Sequence, residues 1–214
     1  EFFNMKKKWL FAAAAVLSLS LAGCGSNSDK TATDNNDNQN KKVLVMGTSA
    51  DFAPFEYIDS AKSDEIIGFD VDLANAVTKK MGYQLKIQDM EFNSLIPAVQ
   101  AKKIDFAMAG ITPNEERAKV VDFTDSYYDT QDFIITKKDT TFKSIDDLKG
   151  KKIGAQVSSI EEDTANAIKD KVNGVKVETR DRVPELIQEV KLGRLDAIVL
   201  NIPCRFPVLP IQAN

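Results

Sequence analysis

Histidine is absent from the 214 residues, which removes the side chain most often used as a general base near neutral pH and the commonest transition-metal ligand. Neither a metal site nor a cofactor is expected. Cysteine is scarce, with Cys24 and Cys204 the two present; if Cys24 carries a lipid, a disulfide framework is excluded. Charge of one sign is not in excess either, because 28 Lys and Arg stand against 32 Asp and Glu for a formal charge of −4. Beyond Lys6, Lys7 and Lys8 there is no basic block, which argues against nucleic acid as a partner. The apolar run from Trp9 to Leu21 is too short to span a membrane as a helix. What remains is 43% hydrophobic and 28% charged, ordinary for a globular chain of one or two domains.

The three lysines followed by the short apolar run read as an export signal, with Met5 the natural start and residues 1–4 an upstream remnant. The run ends in Leu21-Ala-Gly-Cys24, which resembles the lipobox of bacterial lipoproteins. The resemblance implies that residues 1–24 hold a signal peptide with its lipobox, and that cleavage just before Cys24 leaves that cysteine carrying a lipid that anchors the chain to the membrane. The competing reading is a small-residue cleavage site with an incidental cysteine. Residues 25–42 contain no large apolar side chain and cannot offset their ordering entropy, so they are expected to form a flexible tether.

The stretch from Asp105 to Arg117 (DFAMAGITPNEER) organises the rest of the chain. Phe106 to Ala109 suits a strand buried on both faces, and Gly110 lets another group approach the backbone. Thr112 is placed to cap a helix, Pro113 to open it and Glu115 to complete a Ser/Thr-x-x-Glu box. Such a helix start favours negative charge, and Arg117 in its first turn could grip a carboxylate through two hydrogen bonds. A competing reading pairs Arg117 on the surface with Glu115, Glu116 or Asp122.

Along the chain, Val43 to Thr48 reads as a strand, and Ser49 to Glu56 as a loop with two aromatics at its carboxyl end, where open α/β sheets bind ligands. Asp70 is placed to cap a helix carrying Val71, Leu73, Ala74, Val77 and Met81, ended by Gly82. Tyr83 to Gln88 alternates like a strand, Ser94 to Lys103 is helical, and the strand at Phe106 comes after them. This β-α-β-α-β order predicts a mainly parallel sheet covered by helices. An extended crossing near 130, with Phe133 to Thr136, leads to a second series. It comprises a short helix capped by Ser144 with Asp147, strand Lys152 to Ala155, and a helix from Ser158, boxed with Glu161, through Ile168. Strand Val175 to Val177, a helix from Pro184 through Val190 and strand Ala197 to Leu200 complete it. Two α/β lobes are expected, 43–130 and 131–203, with two helix starts facing across a cleft suited to a zwitterion.

With these pieces in place, the chain from Val43 to about Pro203 resembles the extracytoplasmic solute-binding proteins of polar amino acid ABC importers. The resemblance rests on Phe-Ala-Pro-Phe-Glu56, Gly68-Phe-Asp-Val-Asp-Leu73, Ser94-Leu-Ile-Pro-Ala98 with Lys103-Ile-Asp105, Ala109-Gly-Ile-Thr112 with Glu116-Arg117, Asp122-Phe-Thr124 and Asp147-Leu-Lys-Gly150. It implies a two-lobed periplasmic-binding-protein-like α/β fold (type II) and a free amino acid, glutamine or a basic one, as ligand. The partners it implies are the permease subunits of the transporter. It also implies that Arg117 and the Thr112 amide take the ligand α-carboxylate, while Ala109 and Gly110 offer backbone groups. Phe52 and Phe92 would sandwich the side chain, Ser158 and Ser159 bind from the second lobe, and Gln156 line the side-chain end. For Phe92, core packing competes with the ligand role.

Two positions depart from the family pattern. Ser49 stands where several members place an acid, so a basic side chain loses one expected partner, and Asn201 stands where an acid usually receives the α-ammonium. Beyond Pro203 the resemblance fails, and the second lobe and the return to the first are expected to be truncated, with 204–214 an atypical tail. A surface adhesin and a dehydratase-type enzyme on the same scaffold are the alternative functions. The lack of histidine and of an evident close acid pair speaks against the enzyme, and the implied location is the outer face of the cell membrane.

Overall fold

The first part of the fold runs β1 (Val43–Thr48), β2 (Asp51–Phe52), β3 (Glu56–Ile58), β4 (Ile66–Ile67), α1 (Phe69–Lys80), β5 (Gln84–Asp89), α2 (Leu95–Gln100), β6 (Phe106–Ala107) and α3 (Glu115–Ala118). The second part runs β7 (Thr130–Thr136), a 3-10 turn at Ile145–Leu148, β8 (Lys152–Gln156), α4 (Ile160–Lys171), β9 (Lys176–Arg180), α5 (Val183–Leu192) and β10 (Ala197–Pro203). The structure is a computed structural model and describes residues 42–140 and 142–203. The expected export signal, Cys24, the tether up to residue 41, Cys204 and the tail lie outside the described residues.

In the first lobe β1 pairs in parallel with both β5 and β6, giving the order β5-β1-β6. Met46, Val71 and Ala74 form its buried centre, with Ile66, Leu85, Phe106 and Met108 packed around them. Helix α1 carries Asp70 and Asp72 in its first turn and Lys79 and Lys80 in its last, an arrangement that complements the helix dipole. In the second lobe the order is β7-β10-β8-β9, parallel except for antiparallel β7 against β10. That sheet has two cores. One gathers Leu148, Ile153, Ala165, Ile168 and Val199, and the other Val183, Leu186, Val190, Leu195 and Ile198. Each of the Val, Leu and Ile side chains among them contributes roughly 1.5–3 kcal/mol on full burial.

Three expectations need correction. The segment read as a loop from Ser49 to Glu56 holds β2 and the start of β3, which pair Phe52 with Glu56 and join β4 in a small antiparallel sheet. Strands of two or three residues are too short to show alternation. Asp70 does not cap α1. The N-cap is Gly68 at φ 133°, where a Cβ would lie 2.2 Å from the Phe55 carbonyl oxygen, so only glycine fits. The cap of α4 is Ser159, not Ser158: its hydroxyl accepts from the Glu162 amide, and Ser158 at φ 61° donates its own amide to Glu162.

Beside α1, a groove of about 520 Å³ is lined mainly by apolar side chains, among them Leu44, Leu73, Val77, Met81, Phe106 and Val121. It has no convergent set of buried polar groups. The cavity with such a set is a smaller one between the lobes.

Candidate functional site

The ends of β1 and β6 face the ends of β8 and β10 across a cleft. Its first-lobe wall is Ser49, Asp51, Phe52, Glu56, Phe92, Ala109 and Gly110, and its second-lobe wall is Gln156, Glu161, Val183, Leu200 and Asn201. The cavity between them is about 20 Å³, room for one water-sized group. A molecule larger than a water does not fit it in this form.

Arg117 lies at the edge of this cleft with 9% of its surface exposed. Its Nη1 donates to the Thr112 carbonyl at 2.6 Å, its Nη2 crosses the cleft to the Ser158 carbonyl at 2.8 Å, and its guanidinium stacks 5.6 Å from the centre of the Phe92 ring. Among the described residues no carboxylate lies within ion-pair distance of it, so the surface pairing with Glu115, Glu116 or Asp122 does not form. Burial disfavours its charge, with Glu161 and Asp163 opposing from a distance. A buried guanidinium held by carbonyls but by no anion is costly unless an anion joins it.

The helix start expected to help Arg117 is not built as expected. Residues 111–114 take no helical turn, α3 is four residues long, and its cap is Asn114, whose Oδ1 accepts from the Arg117 amide at 2.8 Å. The box of Thr112 and Glu115 is not formed, because the Thr112 carbonyl is turned onto the Arg117 side chain instead. A single turn sums few peptide dipoles, which leaves Arg117 itself as the positive charge.

Gly110, at φ 56°, donates its amide to Asp70 Oδ2 at 2.9 Å, so that amide is not free for a ligand and its carbonyl remains. A Cβ at Gly110 would press on the Phe52 ring at 3.3 Å. Ala109 is buried against the same wall. Phe52 stacks on Phe55 with centroids 5.6 Å apart and packs against the second-lobe core around Val183 and Leu200. It therefore bridges the lobes as well as lining the cleft. Gln156 Nε2 is tied to the Asp181 carbonyl at 2.9 Å. The Ser159 hydroxyl is buried and donates to the Gln156 carbonyl at 2.7 Å, which commits it to the fold. Asn201 Nδ2 lies 3.3 Å from Asp132 Oδ1, leaving its own side-chain oxygen to accept, and Thr164 holds the other Asp132 oxygen at 2.7 Å.

The acids of the cleft are the feature that sequence reasoning missed. Ser49 is buried with a hydroxyl that meets no partner, but Asp51 and Glu56 in the same hairpin supply the carboxylates it lacks. Neither oxygen of Asp51 or Glu56 meets a hydrogen-bond donor of good geometry in the described residues. Burial pushes Asp51 up to about 6, with Arg182 opposing. Burial, and next the neighbouring Asp70 carboxylate, push Glu56 up to about 11. The expectation of no close acid pair is thus corrected: Glu56 and Asp70 are buried neighbours, and burial raises both carboxyls. Asp70 Oδ2 also accepts the Tyr127 hydroxyl at 2.9 Å, and its own carboxyl is raised by burial. Across the cleft, burial also raises Glu161. The available signal was an acid at each end of an otherwise aromatic and apolar stretch, Asp51-Phe-Ala-Pro-Phe-Glu56. Arg182 was missed as well. It reaches from the second lobe to Asp89, with Nη1 at 2.9 Å, and to Glu91, with Nε at 2.8 Å. Among the described residues no cluster of three or more histidine, cysteine or acidic side chains is arranged to hold a metal ion.

Two α/β lobes with a cleft between them, and a buried arginine and buried acids on its walls, define a two-lobed periplasmic-binding-protein-like fold. The chain belongs to the bacterial extracellular solute-binding proteins, family 3, whose profile matches residues 44–153. It is 47% identical over 161 residues to the arginine-binding extracellular protein ArtP of Bacillus subtilis (strain 168), a match that covers 75% of this chain and 62% of that protein. To the ABC transporter arginine-binding protein 1 of Escherichia coli (strain K12) it is 37% identical, over 71% of this chain and 60% of that one. The solved structure of an ancestral arginine-binding protein bound to arginine shares 41% identity and superposes with a TM-score of 0.70 over 75% of this chain and 70% of that chain. The chain spans about three fifths of the length of the curated relatives it matches.

Proposed function

We propose that this chain captures a cationic amino acid, arginine foremost, in the cleft and delivers it to the permease of an ABC importer, held at the outer face of the membrane by a lipid on Cys24. The observation that carries the choice of ligand is Glu56, a buried carboxylate that faces the cleft without a hydrogen-bond donor, beside Asp51, whose Oδ2 lies 3.6 Å from Arg182 Nη1. A guanidinium has five donors in a planar fork and suits such a wall, with Phe52 and Phe92 offering flat faces for it to lie against. At the other end, Arg117 takes the α-carboxylate. The α-ammonium meets the Asn201 side-chain oxygen, with Glu161 and Asp132 supplying the negative charge that Asn201 itself lacks. The arginine-binding relatives support the same reading.

A calorimetric panel of the twenty amino acids tests it. Arginine is expected to bind most tightly, lysine and histidine next, and glutamine more weakly. Tightest binding of glutamate or aspartate overturns the assignment. Labelling with a radioactive fatty acid tests the anchor, since Cys24→Ser is expected to abolish incorporation and a non-lipidated product from the parent sequence counts against it.

A further inference from the structure

Arg182 opens α5, with its backbone amide held by Glu185 Oε2 at 3.2 Å, yet its side chain leaves the second lobe. Nη1 and Nη2 donate to the two Asp89 oxygens at 2.9 and 3.2 Å. Nε lies 2.8 Å from Glu91 Oε2, and Nη1 lies 3.6 Å from Asp51 Oδ2. All three acids belong to the first lobe, Asp89 and Glu91 at the end of β5 and Asp51 in β2 on the cleft wall. Next to Arg182, Asp181 adds a weaker contact, with Asn93 Nδ2 at 3.5 Å from its Oδ1. The planar fork holding one carboxylate through two parallel bonds is the geometry in which arginine outperforms lysine.

Solvent access differs among the partners. The Arg182 side chain is 23% exposed and Asp51 9%, so the field between them is little screened. Asp89 and Glu91 are 39% and 42% exposed, so their share of the contact weakens with salt. When the lobes part, Arg182 withdraws and leaves three acids on one rim without their cation.

We propose that Arg182 is the latch of this cleft, a positioning residue that closes onto Asp51, Asp89 and Glu91 and sets how long a captured amino acid stays. It acts through closure and through Asp51, without touching the ligand. In the open form the freed acids draw a cationic solute toward the cleft. On closing, Arg182 takes the rim acids and Glu56 is left to the ligand side chain. The part concerning ligand residence rests on the proposed cationic ligand; the part concerning closure does not.

The test uses the 214-residue chain carrying Cys24→Ser and Cys204→Ser, with spin labels at Lys80→Cys and Lys171→Cys, both exposed and one on each lobe. Pulsed electron resonance in low salt is expected to give a longer and broader distance distribution for Arg182→Gln than for the parent. The pair Asp89→Asn with Glu91→Gln is expected to give the same shift from the other lobe. Arg182→Lys is expected to fall between, because the bidentate grip is lost and the charge kept. A circular-dichroism melt identifies any variant that fails to fold, in which case the remaining variants decide. Stopped-flow with arginine is expected to show dissociation about tenfold faster in Arg182→Gln. Raising NaCl from about 20 to about 500 mM should speed dissociation in the parent and leave Arg182→Gln nearly unchanged. Unchanged distances in every folded variant overturn the latch. Arginine that binds no form overturns the ligand reading, and the distance measurements then decide closure alone.

Discussion

At the scale of the residue, the cleft sets opposite burial problems side by side. Arg117 is a cation held by two carbonyls and no anion, while Glu56 is an acid kept neutral by burial and by Asp70. Arg117→Ala is expected to cost about 3 kcal/mol of arginine binding in a calorimetric titration, because the ligand carboxylate then loses its buried partner. Near-unchanged affinity would return Arg117 to a role in tying Thr112 to Ser158. Glu56 carries a pH prediction whose sign follows from its shift. The native value of about 11 lies above the unfolded value of 4.5, so the protein gains a proton at this site on folding. Its favourable contribution is complete below the unfolded value and is lost as pH rises toward the native one. At pH 7 drawing that proton from solution costs about 3 kcal/mol. Glu56→Gln, which does not titrate, is expected to raise the urea midpoint at neutral pH, with the gain closing as pH falls toward about 4.5. A gain that does not shrink in acid means that Glu56 is ionised in the native protein. Arginine binding to ionised Glu56 expels the carboxyl proton. Affinity should therefore rise with pH between about 5 and 8, by up to about tenfold per unit.

At the scale of the element, the two neighbouring serines before α4 divide their work. Ser159→Ala removes a cap that accepts from Glu162 and donates to Gln156, and is expected to lower stability by about 1 kcal/mol in chemical denaturation. Ser158→Gly relieves a left-handed residue and should leave stability equal or slightly raised. If Ser158→Gly is the more damaging of the two, the hydroxyl at 158 does the capping. The long elements here were legible. The apolar spacing of α1, the proline in the first turn of α5 and the strands β1 and β8 are local patterns that one segment carries by itself. The hairpin of β2 and β3 was not legible, because its pairs are made by backbone groups within a stretch that alternation does not mark. The cap at Asn114 was missed for a related reason. Thr112, Asn114 and Glu115 offer two overlapping cap patterns, and the choice falls to the one that frees the Thr112 carbonyl for Arg117.

At the scale of the whole molecule, the groove beside α1 leaves apolar surface open, with Val77 47% and Met81 58% exposed. Apolar surface of this extent in solution favours association. The 214-residue chain is expected to bind the dye ANS strongly at neutral pH and to self-associate on concentration. A pair of substitutions in the groove, Val77→Lys with Met81→Lys, should reduce both. Weak dye binding by the parent would show that something covers the groove in solution. The sequence by itself determined the alternation of helices and strands, the two α/β lobes and the prominence of Arg117, because composition, periodicity and motif spacing are properties of neighbours along the chain. The tertiary structure alone decided which acids share the cleft with Arg117, that Glu56 meets Asp70, that Ser159 is spent on a cap and that Arg182 crosses to Asp89. Those contacts join residues up to 93 positions apart, and whether a carboxylate is a solvated surface group or a buried one that has lost its water depends on what the fold places around it.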